Sequence, residues 1–207
     1  MKLVDQLKDF SSKVHKTAVE HGWWEKPRST EECLELIHCE LAEAVEGYRE
    51  GSKPCPKLLG KSTDGVDFTT VEEEMADVMI RLLDIAGMMW SNWHLLGDTI
   101  KSLAESEGTT VSLDDDSLSV NFNALGESLI HIDSPDVVGR DLTFLEDIYY
   151  MREGMAAARA NLDRAIVIIT MFCAKLSAKY NLRTIPAMIA KAEYNESRPY
   201  RHGGKLA

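Results

Sequence analysis

Apolar residues in this 207-residue chain return at helical intervals, and no other feature limits its fold so strongly. Leu34, Ile37, Leu41, Ala44, Val45 and Tyr48 share one side of a helical wheel, as do Met75, Met79, Leu82, Ala86, Met89 and Trp93. The spacing predicts helices over 2–21, 31–50, 70–96, 142–179 and 184–196. Gly22 is placed to end the first, Ser29 or Thr30 to cap the second, and Gly51, Pro54 and Pro56 to break it. Residues 52–69 have no period and read as a loop. The sum is an all-α, multi-helix bundle. One stretch departs from it: residues 105–140 hold Gly108, three consecutive acids at Asp114–Asp116 and Pro135, and the alternation in TTVSL and SLSVNF fits a short β-ribbon. We therefore expect one domain over 1–207, with an irregular insertion at about 97–143 and a polar tail at about 197–207.

Charge and cysteine usage narrow the classes of function. Lys and Arg number 23 against 34 Asp and Glu, a formal charge of −11, which argues against nucleic acid or an anionic membrane as partner. Cys33, Cys39, Cys55 and Cys173 show no C-x-x-C spacing and read as reduced thiols. The N-terminus MKLVDQLKDF has charges among its apolar positions, unlike a signal peptide, and runs such as AIVIIT are too short to cross a bilayer. The expectation is a soluble, cytoplasmic protein.

The chemistry lies in two acidic pairs. Glu40 and Glu43 stand i, i+3 in ELAEAVEGYRE, and Glu74 and Asp77 repeat that spacing in EEEMADVMIRLLDIAG, so each pair faces one way from its helix. On both helices the acidic face is separate from the apolar stripe. Its neighbours, such as Leu36 and Gly47, are small or apolar, whereas a face meant only for water interleaves opposite charges. Two such helices side by side form a carboxylate cage, and like charges at that separation call for a hard divalent cation, Mg2+ foremost.

The order ExxE, loop, ExxD resembles the MazG-like all-α nucleoside triphosphate pyrophosphohydrolases. Two further segments are similar to that family: GWW followed by Lys and Pro and running into ECLELIHCELAEA, and KAEYNESRPYRHGGK near the C-terminus. Together they cover about 15–90 and 183–205, while 97–143 lies outside the compact pattern. The resemblance implies Mg2+ on Glu40, Glu43, Glu74 and Asp77, with Glu43 or Asp77 as general base. It also implies phosphate contacts from Lys191, Asn195 and Arg198, with Arg201 beside them. The implied reaction converts a (deoxy)nucleoside triphosphate to the monophosphate and pyrophosphate.

Trp23 and Trp24 suit stacking on a base, or packing against the bundle. Glu35 and His38 reproduce the Glu-x-x-His of di-iron bundles, but no other histidine has Glu three residues before it, so that reading is set aside. A second reading is a non-catalytic nucleotide-binding or oligomerisation module that keeps the cage. The methionine-rich stripe of 70–96 leads to the expectation of a homodimer, which the resemblance also implies.

Overall fold

The computed structural model describes residues 1–90, 92–106, 110–130, 143–157 and 161–204. Among them the chain is helical, with no strand beyond an isolated bridge between Pro54 and Thr69. The helices are α1 (Lys2–Glu20), α2 (Thr30–Arg49), α3 (Thr70–Met89), α4 (Trp93–Ser106), α5 (Leu118–Ile130), α6 (Phe144–Ala157), α7 (Leu162–Lys179), α8 (Thr184–Glu196) and the short α9 (Arg201–Gly204). The contacts divide the chain into two compact units. The first comprises Met1–Leu7 and Ser91–Leu182, the second Lys8–Trp90 and Arg183–Ala207. The stretch 97–143 falls within the first.

In the second unit α2 and α8 both pack on α3. Ser29 starts α2 by accepting from the Glu32 amide, and Thr69 and Glu72 start α3 with a reciprocal capping box. α2 packs on α3, and Leu34, Ile37, Leu41 and Ala44 of the one and Met75, Met79, Leu82 and Ala86 of the other are buried. Each large side chain so buried contributes about 1.5–3 kcal/mol. Most of the methionine stripe is thus covered within the chain, while Met88 and Met89, at the end of α3, are exposed. Gly87 lets α1 come close: a Cβ there would stand 2.7 Å from the His15 Cβ and 2.9 Å from the Ser11 carbonyl. Ser11 Oγ donates to the Leu83 carbonyl at 2.7 Å across the same contact.

In the first unit α7 is the centre, packed by α4, α5 and α6. Here three expectations are corrected. The residues expected as a β-ribbon are not one: Thr110–Leu113 are irregular, and SLSVNF runs into the start of α5, launched by Ser117, whose Oγ accepts from the Val120 amide at 3.4 Å. Alternation over six residues does not separate a strand from a capped first turn. The helix expected over 142–179 is two helices, because Asn161 takes an extended backbone and caps α7 through the Arg164 amide. The helix expected over 70–96 ends at Met89, where Trp90 turns extended and buries its ring, and Trp93 belongs to α4. Helical spacing carries on across both breaks, so the pattern hides them.

α5 crosses α7 at Gly126, where a Cβ would lie 2.1 Å from the Ala174 carbonyl oxygen. Alanine ordinarily favours a helix over glycine by about 1 kcal/mol. Here the backbone contact reverses the sign, and Gly126→Ala is expected to cost about 1–3 kcal/mol through overpacking, read as a lower urea midpoint with unchanged slope.

Candidate metal centre

Glu40 on α2 and Glu74 and Asp77 on α3 converge: each offers a carboxylate oxygen, and the three lie within 4.8 Å of one another. Glu40 and Glu74 are buried at 5% and 8% exposure, with Asp77 half-buried beside them. Oxygens sharing one Mg2+ at about 2.1 Å can be no more than about 4.2 Å apart, so modest side-chain rotation closes the set. Glu43 lines the same cavity from a more exposed position but stands outside this group of three.

The charges around the three acids differ. Arg81 Nε donates to Glu40 Oε1, and Lys191 Nζ sits 2.7 Å from Asp77 Oδ2. Glu74 Oε2 is buried with no hydrogen-bond partner among the described residues. Burial first, then the charges of Asp77 and Glu73, push its carboxyl up to about 8 from the usual 4.5. Burial also raises Asp77, against the opposing charge of Lys191. An orphaned acid, raised by its neighbours and flanked by two more, is a donor set of the kind a hard cation fits.

The run Glu72, Glu73, Glu74 sends three consecutive acids about 100° apart around α3, and each finds a different setting. Glu72 Oε1 accepts from Arg183 Nε at 2.8 Å and the Arg183 amide at 2.9 Å; burial would raise it, but the guanidinium wins and holds it low. Arg183 also donates to the Val66 and Asp67 carbonyls, which fixes the loop before α3. Glu73 accepts from Lys191, from Lys57 at 2.6 Å and from the Cys55 thiol at 2.7 Å, and is held low although it is buried. Lys191, 2% exposed, bridges Glu73 and Asp77; burial opposes its charge, but the two acids outweigh burial and raise it. Sequence spacing missed Glu73 because its cations stand 16 and 118 residues away. The one hint was an unbroken acid triplet on a helix with an apolar stripe.

A cavity of about 360 Å3 opens beside the acids, near the lower end of the roughly 300–1,000 Å3 typical of ligand pockets. Lys191, Asn195 and Arg198 line it, with Trp23 and Lys57. Asn195 Oδ1 is buried and has no partner there. Arg201 does not line it, and pairs with Glu25. Trp24 is set back, its indole N–H donating to Asp84 Oδ1 at 2.9 Å, whereas Trp23 faces the cavity. His38 is absent from both the cavity wall and the acid cluster.

Known proteins were compared with this architecture. The chain matches no family model, no curated protein and no solved structure. Function is therefore argued from the site itself. Among the described residues no single helix is long and apolar enough to cross a membrane.

Proposed function

We propose that this chain is a Mg2+-dependent nucleoside triphosphate pyrophosphohydrolase of the MazG-like all-α type, releasing a (deoxy)nucleoside monophosphate and pyrophosphate. The observation that carries the reading is the convergence of Glu40, Glu74 and Asp77 from two helices, with Glu74 Oε2 buried and without a hydrogen-bond partner among the described residues.

Glu40, Glu74 and Asp77 would hold Mg2+, with Glu43 at the edge of the set. When bound, the ion supplies charge neutralisation at the polyphosphate and a lowered pKa for water. The protein's own groups divide the rest. Arg198 and Asn195, on the cavity wall at the end of α8 and just after it, bind phosphate oxygens, the arginine through its planar fork. Asp77 is committed to Lys191, so Glu43 is the better-placed general base: it takes a proton from the attacking water as the new phosphorus–oxygen bond forms and the α–β anhydride bond breaks. Lys191 orients Asp77 and does not bind substrate. Trp23 offers an aromatic face to the base.

Purified protein with Mg2+ and a panel of common and modified triphosphates is expected to release pyrophosphate and monophosphate in equal amounts, and none after chelation. Release of single phosphates, or release indifferent to chelator, would overturn the reading. Tight binding of Mg2+-nucleotide with no turnover on any triphosphate would favour the non-catalytic nucleotide module.

A further inference from the structure

Two turns along α3 from Asp77, on the same cavity wall, stands a second carboxylate that the acid cage does not use. Asp84 lines the cavity, about 10 Å of helix from Asp77, a distance comparable to a nucleoside monophosphate laid along the groove. Its Oδ1 accepts from His15 Nδ1 at 2.8 Å and from the Trp24 indole at 2.9 Å, with the ring tautomer assigned from its acid partner. Oδ2 meets the same indole only at 3.1 Å. A carboxylate accepts about four hydrogen bonds, so capacity remains on the side of Oδ2. His15 and Trp24 also meet edge to face, ring centroids 5.5 Å apart, which locks the acid's orientation.

Opposite in charge and lining the same cavity is Arg28. Its guanidinium lies 5.8 Å from the Trp23 ring centroid and 6.0 Å from that of Trp24, and its side chain is 10% exposed. Its Nε also stands 3.6 Å from Glu32 Oε1, so the two tryptophans and Glu32 hold a donor on the lining of the cavity that Asp84 shares.

We propose that Asp84 and Arg28 read the nucleobase, selecting one that carries an exocyclic amino group next to a ring acceptor, as cytosine and adenine do. This rests on the reading of the cavity as a nucleoside triphosphate site. The amino group donates to Asp84 and the ring acceptor takes a hydrogen bond from Arg28. Uracil and hypoxanthine put a carbonyl where the amino group stands, which sets two acceptors face to face in a partly dry site. Sites built to hydrogen-bond a group reject analogues lacking it far more strongly than apolar pockets reject a missing methylene.

The test compares dCTP with dUTP and dATP with dITP, by pyrophosphate release and by calorimetric binding with Mg2+, in the wild type and in Asp84→Asn. The wild type is expected to favour the amino base of at least one pair by roughly 100-fold in kcat/KM or in affinity, and which pair responds tells pyrimidine from purine. Asparagine keeps Oδ1 for His15 and Trp24 but places an NH2 where Oδ2 was, so the preference should fall by a similar factor or invert towards the keto base, with little change in melting temperature. Equal use of amino and keto bases by the wild type, or an unchanged ratio in Asp84→Asn, overturns this inference while leaving the pyrophosphohydrolase intact. Selective binding of the amino base with no turnover sinks the catalytic reading alone. No binding of any nucleotide removes both.

Discussion

Glu74→Gln is expected to abolish pyrophosphate release, by 10³-fold or more, and at the same time to stabilise the metal-free protein. The loss of activity follows from removing one of the three carboxylates proposed to hold the ion. The gain in stability follows from linkage. Glu74 titrates near 4.5 when unfolded and near 8 in the fold. Below the lower value both states hold the proton and the side chain costs nothing. As pH rises between the two, the unfolded chain sheds the proton first and is favoured, so native stability falls until the folded group also ionises near pH 8. Glutamine stays neutral and escapes that loss. At pH 8 in chelator, Glu74→Gln should melt higher than the wild type by the equivalent of about 2–4 kcal/mol, and the difference should vanish near pH 4. Adding Mg2+ should reverse the order, since ligand that binds only the native state stabilises by mass action and the variant has lost a ligand to it. A variant that melts at or below the wild type in chelator at pH 8 would show that Glu74 carries no such strain.

The second large effect is expected at Lys191. If this lysine served only to grip phosphate, replacing it would weaken nucleotide binding and leave the fold alone. Its Nζ instead bridges Glu73 and Asp77 from a side chain that is almost wholly buried. Lys191→Met keeps the length and apolar bulk of the stem but leaves Asp77 without its lysine and buried Glu73 with Lys57 alone. Breaking one partner out of a buried ionic cluster costs about 3–5 kcal/mol, so a fall in melting temperature on the order of 10 °C is expected for a chain of this size. Glu73→Gln placed on top should restore part of the loss, because it removes one of the two acids that Lys191 had bridged. A Lys191→Met protein with wild-type stability and weakened nucleotide binding would return Lys191 to the phosphate role.

The contrast between Glu74 and Lys191 shows where local pattern suffices. Glu74 and Asp77 are one helical turn apart, and so are Glu40 and Glu43, and facing in one direction at i, i+3 is a property of any α-helix. The pattern therefore reached three of the acids that meet, from residue types and spacing alone. It also placed α2 and α8 to within a residue at each end, since the caps and breakers lie next to the elements they bound. Glu43 belonged to the same local pattern, yet it remains more exposed and outside the group of three, because how far one helix turns towards another is set by packing.

What lay beyond the pattern is long-range. The resemblance implied a phosphate contact for Lys191, and only the packing of α8 on α3 turns it onto Glu73 and Asp77. Nothing in the local spacing singles out Asp84, and it is the close approach of α1 at Gly87 that brings His15 to it. The breaks at Met89 and at Asn161 escaped for a related reason: on either side of each, apolar residues stay in helical phase, and what ends the helix is a backbone turn favoured by burial or capping elsewhere.

By itself the sequence determined the helical class, the limits of the best-capped helices and the acidic faces of α2 and α3, because these depend on residues three or four positions apart. The tertiary structure alone decided which acid keeps a buried oxygen without a hydrogen-bond partner among the described residues, which lysine is buried, and which further carboxylate lines the cavity. Those outcomes depend on side chains up to 118 residues apart meeting in a low-dielectric interior, where the neighbour, not the residue type, sets the charge each group can hold.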